Sequence, residues 1–86
     1  MNWEVRWKRS AQSQLARDWL VADPATRQAI TRASHQIDYE LQYSPETKGE
    51  SRDKGRRILH VAPLGVIFRV DAGRQRVFVL HVWVFD

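Results

Sequence analysis

Cysteine is absent from these 86 residues. That removes disulfides and any thiolate metal site. No apolar run approaches the roughly 18–20 residues that span a bilayer. The opening stretch, MNWEVRWKRS, is charged and lacks the apolar block of a signal peptide. A cytoplasmic protein is therefore expected. Histidine occurs at only three positions, His35, His60 and His81. None is spaced i, i+4 from another, so no metal and no cofactor is expected. Proline and glycine are sparse, at three and four, so long segments can run without a breaker. The length allows one domain, residues 1–86, with an economical core.

Charge of one sign is also short. Ten acidic residues face fourteen basic ones, for a net charge of +4, and eleven of the fourteen are Arg. Arginine suits bidentate contact with phosphate or carboxylate, and it stacks on bases. A nucleic-acid partner or an acidic protein partner would each account for this balance. So would solubility alone.

The periodicity divides the chain. Trp3, Val5 and Trp7 alternate with Asn2, Glu4 and Arg6, the pattern of a half-buried strand. Ser10 is placed to cap a helix running to about Ala22, with Ala11, Leu15, Trp19 and Ala22 on one stripe. Asp23-Pro24 supplies an N-cap and a first-turn proline for a second helix reaching about Leu41. Its inward positions are Ile30, Ala33, Ile37 and Leu41. Residues Tyr43 to Gly55 carry proline, glycine and charge, and read as a loop. RRILHVA, GVIFRV and RVFVLHVWVF are rich in β-branched and aromatic residues and read as strands. Turns are expected at Ala62-Pro63-Leu64-Gly65 and Asp71-Ala72-Gly73-Arg74. The expected class is α+β: an N-terminal strand, a two-helix hairpin, then a three-stranded antiparallel meander (β-α-α-β-β-β). Both helices pack on one sheet face, and the other face meets water, a partner or a substrate.

Alternation sorts the strand residues. A tight hairpin at Ala62–Gly65 sets Val61 opposite Val66, His60 opposite Ile67, Leu59 opposite Phe68 and Ile58 opposite Arg69. Leu59, Val61, Val66, Phe68 and Val70 then face the helices. Arg56, Ile58, His60, Ile67 and Arg69 face away. The last strand has two registers. Burying Phe78, Leu80, Val82 and Val84 is favoured over burying His81, because each large apolar side chain contributes roughly 1.5–3 kcal/mol. His81, Trp83 and Phe85 then join the outer face.

The order and spacing of these elements resemble the RelE/ParE toxins of bacterial type II toxin–antitoxin pairs, over nearly the whole chain. The resemblance rests on several stretches: the strand ending in Trp7, His35-Gln36-Ile37-Asp38 late in the second helix, the Pro45 loop, Arg57-Ile58-Leu59, Val66 to Val70, and Val77 to Val82. Gly49 to Arg52, followed by Arg56-Arg57-Ile58-Leu59, is similar to small plasmid-stabilisation members. The resemblance implies a toxin held by a cognate acidic antitoxin. It implies either cleavage of mRNA on the ribosome or inhibition of DNA gyrase.

For a ribonuclease, 2′-hydroxyl attack on phosphate requires an acid, a base and cations. His60, His81 and Arg69 are the expected catalytic residues. Trp83 is placed to stack a base, and Arg52, Lys54, Arg56 and Arg57 to hold neighbouring phosphates. The family pattern departs here. Its basic residue on the first meander strand falls near His60. Its two strand arginines fall on Gly65 and Phe85, and its C-terminal tyrosine would lie beyond Asp86. These departures keep gyrase inhibition, or a non-toxic interaction module, open as alternatives.

Overall fold

A computed structural model describes residues 2–85 of the chain. Asp23 begins the longest helix. Its carboxylate accepts from the Thr26 amide at 3.1 Å, and Pro24 occupies the first helical position, where no N–H is needed. This helix, α2, spans Pro24–Leu41 and buries Ile30, Ala33, Ile37 and Leu41, as their spacing anticipates. The preceding helix, α1, spans Arg9–Val21 and follows directly on strand β1, Glu4–Trp7.

The start of α1 differs from expectation. Its N-cap is Lys8, not Ser10, and no side chain caps it. The Lys8 amide donates to the Val79 carbonyl at 2.9 Å, so the chain leaves the sheet there and turns at once into helix. Arg27 closes the other end, donating to the carbonyls of Trp19 at 2.9 Å and Leu20 at 2.7 Å. These are two of the acceptors a helix end leaves without partners.

The remaining strands are β2 (Glu50–Ser51), β3 (Arg56–Val61), β4 (Leu64–Asp71) and β5 (Arg76–Val84). The expected meander β3-β4-β5 is present, flanked by two further strands. The sheet has five strands in the order β1-β5-β4-β3-β2, with β1 parallel to β5 and the other pairs antiparallel. The segment expected to be wholly loop thus contributes β2, along with short helical turns at Pro45–Thr47 and Asp53–Gly55. Gly49 makes β2 possible. It has φ +63°, and a Cβ there would stand 2.0 Å from the Ile58 carbonyl oxygen.

Two registers depart from expectation. The β3–β4 connection is Ala62-Pro63 alone, so Val61 pairs with Leu64, His60 with Gly65 and Ile58 with Ile67. This is a two-residue slip, and side chains alternate with period two, so every face assignment survives it. The β5 expectation holds for only half the strand. Ile67 pairs with His81 but Phe68 pairs with Val79, leaving Leu80 as a bulge. Before the bulge Val77 and Val79 face the helices and Phe78 faces away; after it Val82 and Val84 face the helices. Phe78 is therefore an open-face residue, contrary to the expected register.

Both helices lie on one sheet face. Ala11, Ile30, Ala33, Ile37 and Leu41 pack there with Leu64, Val66, Phe68, Val77, Val79 and Val82, each at most 4% exposed. Trp3, Val5 and Trp7 of the N-terminal segment pack against this core. Trp19, expected on the buried stripe, stays 38% exposed. Among the described residues no helix is long and apolar enough to cross a membrane.

Candidate functional site

The sheet face away from the helices carries most of the chemistry-bearing residues. The registers arrange them in rows across β3, β4 and β5. The first row is His60, Gly65 and Trp83. The second is Ile58, Ile67 and His81. The third is Arg56, Arg69 and Phe78, with Arg6 of β1 beyond Phe78. Arg52 extends this row on the other side, its amide donating to the Arg56 carbonyl at 2.7 Å.

The first row is an aromatic cluster. The His60 ring meets Trp83 edge to face with centroids 5.9 Å apart, and meets Phe85 likewise at 5.3 Å. Such T-shaped contacts add modest directional attraction to area burial. Gly65 lies beneath, and a Cβ on it would stand 2.5 Å from two carbons of the Trp83 ring. The Phe85 amide donates to the Pro63 carbonyl at 2.8 Å, which ties the end of β5 to the hairpin turn and places Phe85 beside His60.

The third row is basic. The Arg69 guanidinium carbon lies 5.2 Å from the Phe78 ring centre, in cation–π range. Glu4 binds Arg6 at 2.7 Å and Arg76 at 3.1 Å. The hydrogen bond from Arg6, followed by those two nearby charges and the bond from Arg76, holds the Glu4 carboxyl below its ordinary range.

The expected site residues are not all assembled. His60 and His81 both lie exposed on this face, two strands and one row apart. By strand spacing and rise their backbones are about 12 Å apart. His81 sits in the row between the aromatic cluster and the arginines. Arg52 binds Glu50 at 3.3 Å. Lys54 is exposed in the Asp53–Gly55 turn with φ 62°. Arg57 points to the helix side, and its guanidinium donates to the carbonyls of Lys48 at 2.7 Å and Gly49 at 3.2 Å. It anchors the loop that precedes β2.

Two features escaped sequence reasoning. Phe78 joins the arginine row because of the Leu80 bulge. Val77-Phe78-Val79-Leu80 is apolar at every position, so no alternation marks which side faces out. The second is an apolar groove of about 690 Å³ between α1 and α2, lined by Trp7, Leu15, Trp19, Leu20 and Ile30. Both indoles that line it are paired: Trp7 Nε1 donates to Asp38 at 3.1 Å and Trp19 Nε1 to Thr31 at 3.2 Å. The apolar stripe expected on α1 omits Leu20, which stands 63% exposed beside this groove.

No protein-family model matches the chain, and no curated protein matches it. Solved structures do. The chain is similar to the chromosomal ParDE toxin–antitoxin system of P. aeruginosa, with a TM-score of 0.75 and 18% identity over 98% of this chain and 97% of that one. It is similar to the RelBE2 toxin–antitoxin complex of Mycobacterium tuberculosis, with a TM-score of 0.73 and 17% identity over 98% and 92%. It is also similar to the isolated RelE toxin of E. coli, with a TM-score of 0.63 and 14% identity over 98% and 85%. At these identities the likeness is one of fold. The chain has the RelE/ParE toxin fold.

Proposed function

We propose that this chain is the toxin of a type II toxin–antitoxin pair, a metal-independent endoribonuclease that cuts mRNA on the ribosome and so arrests translation. The observation that carries the reading is the uncovered sheet face, with an aromatic cluster at one end, His81 in the middle and arginines at the other. Sheet faces with exposed aromatics stack unpaired bases, and flanking cations hold the backbone. In this reading a base lies against Trp83, and His60 and His81 serve as the acid–base pair. Arg69, with Arg52, Lys54 and Arg56, offsets phosphate charge, and Arg57 positions the loop beside them. A substrate bound between the histidines would have to draw them together across the second row. The partner that silences the chain is a cognate acidic antitoxin laid across the same basic face.

Induction of the chain alone, with primer extension on abundant mRNAs, tests this. Discrete in-frame cuts that vanish when His60 and His81 are both changed to Ala are expected. Undiminished cutting by that double variant would remove the assigned chemistry.

A second reading is non-enzymatic inhibition of DNA gyrase. It is favoured by Gly65 and Phe85, which stand where the family resemblance implies arginines. A supercoiling gel from the same culture separates the two: altered topology with intact mRNA supports gyrase, and normal topology with cut mRNA supports the nuclease.

A further inference from the structure

Five of the eleven arginines hold a hydrogen-bond or ion-pair partner through their guanidinium groups: Arg6 and Arg76 share Glu4, Arg52 binds Glu50, and Arg27 and Arg57 bind carbonyls. Of the other six, Arg56 and Arg69 are set apart by their position. The β3–β4 register sets them directly opposite each other, and both are exposed. Among the described residues neither has a carboxylate in ion-pair contact. Like charges facing each other across an antiparallel pair are destabilising. The arrangement becomes favourable when one anion bridges both guanidinium groups, since charge-assisted contacts to phosphate are strong and often bidentate. Phe78 already restrains Arg69, so less side-chain freedom is lost on binding.

The same face says which anion. Along β3, Arg56 and His60 are separated by four residues, about 13 Å of strand. At the His60 end lie the rings of Trp83 and Phe85. A ligand that uses both ends carries a negative charge at one and a flat unpaired group at the other, joined by a short flexible chain. Single-stranded nucleic acid has this form. An acidic peptide satisfies the arginines but offers nothing specific to the rings.

We propose that Arg56 and Arg69 form a clamp for one backbone phosphate of single-stranded RNA, with a base of the same strand stacked against Trp83. This rests on the reading that the open face takes RNA. It moves Arg69 away from the catalytic group and makes it a binding residue that acts with Arg56.

The test is fluorescence anisotropy of a labelled short oligouridylate on the full chain, titrated over a range of KCl. Each single-strand phosphate contact contributes about 0.7 to the slope of log affinity against log salt. Arg56→Gln and Arg69→Gln are each expected to lower the slope by up to about 0.7, and the double variant by no more than one contact's worth, because both side chains hold the same phosphate. Trp83→Ala is expected to weaken binding by about tenfold with the slope unchanged. Arg32→Gln, on the helix side, should change neither. Wild-type slope in both glutamine variants overturns the clamp. So does a double variant that loses two independent contacts, or competition by polyglutamate as effective as that by oligouridylate. Without RNA, Arg56→Gln is expected to melt no lower than wild type; a lower Tm would mean that Arg56 already has a partner inside the chain, and overturns the proposal. The two readings fail separately. The expected binding signature without mRNA cleavage in cells retires the nuclease and keeps the clamp. Cleavage that survives both glutamine substitutions retires the clamp and keeps the nuclease.

Discussion

The indole of Trp83 lies on the backbone of Gly65, so closely that a methyl group at residue 65 would stand 2.5 Å from two of its ring carbons. The absence of a side chain at Gly65 is what lets Trp83 lie flat enough to meet His60 edge to face.

Gly65→Ala is therefore expected to push the indole off the sheet. Forced overpacking of this kind costs roughly 1–3 kcal/mol. A lower Tm with a shifted tryptophan emission maximum is the expected result. An unchanged spectrum would show that the indole is not held against residue 65.

Leu80 is the extra residue that reverses the parity of β5 halfway along. Deleting it joins Val79 directly to His81, so Val77, Val79 and Val82 all keep their places in the core and the ladder becomes regular. In a strand without the bulge the same deletion would turn one half over and take two large apolar side chains out of the interior, a loss of about 3–6 kcal/mol, comparable with the whole stability of a small domain. The deletion variant is expected to melt cooperatively near the wild-type Tm; an unfolded variant by circular dichroism would contradict the bulge.

The two helix starts make opposite predictions. Asp23 caps α2 through the Thr26 amide, so Asp23→Ala should destabilise by about 1 kcal/mol. Lys8 leaves the start of α1 without a side-chain cap, and the first turn holds no acidic residue. Lys8→Asp should add a cap and complement the helix dipole, raising stability by about 0.5–1 kcal/mol. Urea titrations of both variants read these changes as shifts of midpoint in opposite directions.

Acid should weaken the fold through two named carboxylates. Glu4 is held below its ordinary range chiefly by the Arg6 hydrogen bond, and Asp23 chiefly by the bond to Thr26. A group whose pKa is lower in the folded state contributes stability that is full above its unfolded pKa. That contribution fades as pH falls through the folded one. Tm should hold steady above the ordinary carboxylate range and decline below it. Glu4→Gln and Asp23→Ala should each flatten the decline; equal slopes in wild type and both variants would assign it to other groups.

The face carrying the candidate site was legible despite a wrong turn. The β3–β4 hairpin is two residues tighter than the proline and glycine spacing suggested, yet His60 and Arg69 stayed on the outer face because the slip was even. The β5 slip was odd, so Phe78 changed sides. The anchoring of Arg57 had no sequence signal, because its acceptors are main-chain carbonyls of Lys48 and Gly49, nine and eight residues away along a loop.

The chain alone determined what depends on near neighbours. The Asp23-Pro24 cap, the 3.6-residue spacing from Ile30 to Leu41 and the alternation along β3 and β4 are all properties of a few consecutive residues, and each appears where it was expected. Only tertiary structure decided the parallel pairing of β1 with β5, the short β2, the Leu80 bulge, and the meeting of His60, Trp83 and Phe85 over Gly65. These depend on residues far apart in the chain being brought to one place. Their partners are chosen by which arrangement of the whole sheet buries the core, and no local pattern records that choice.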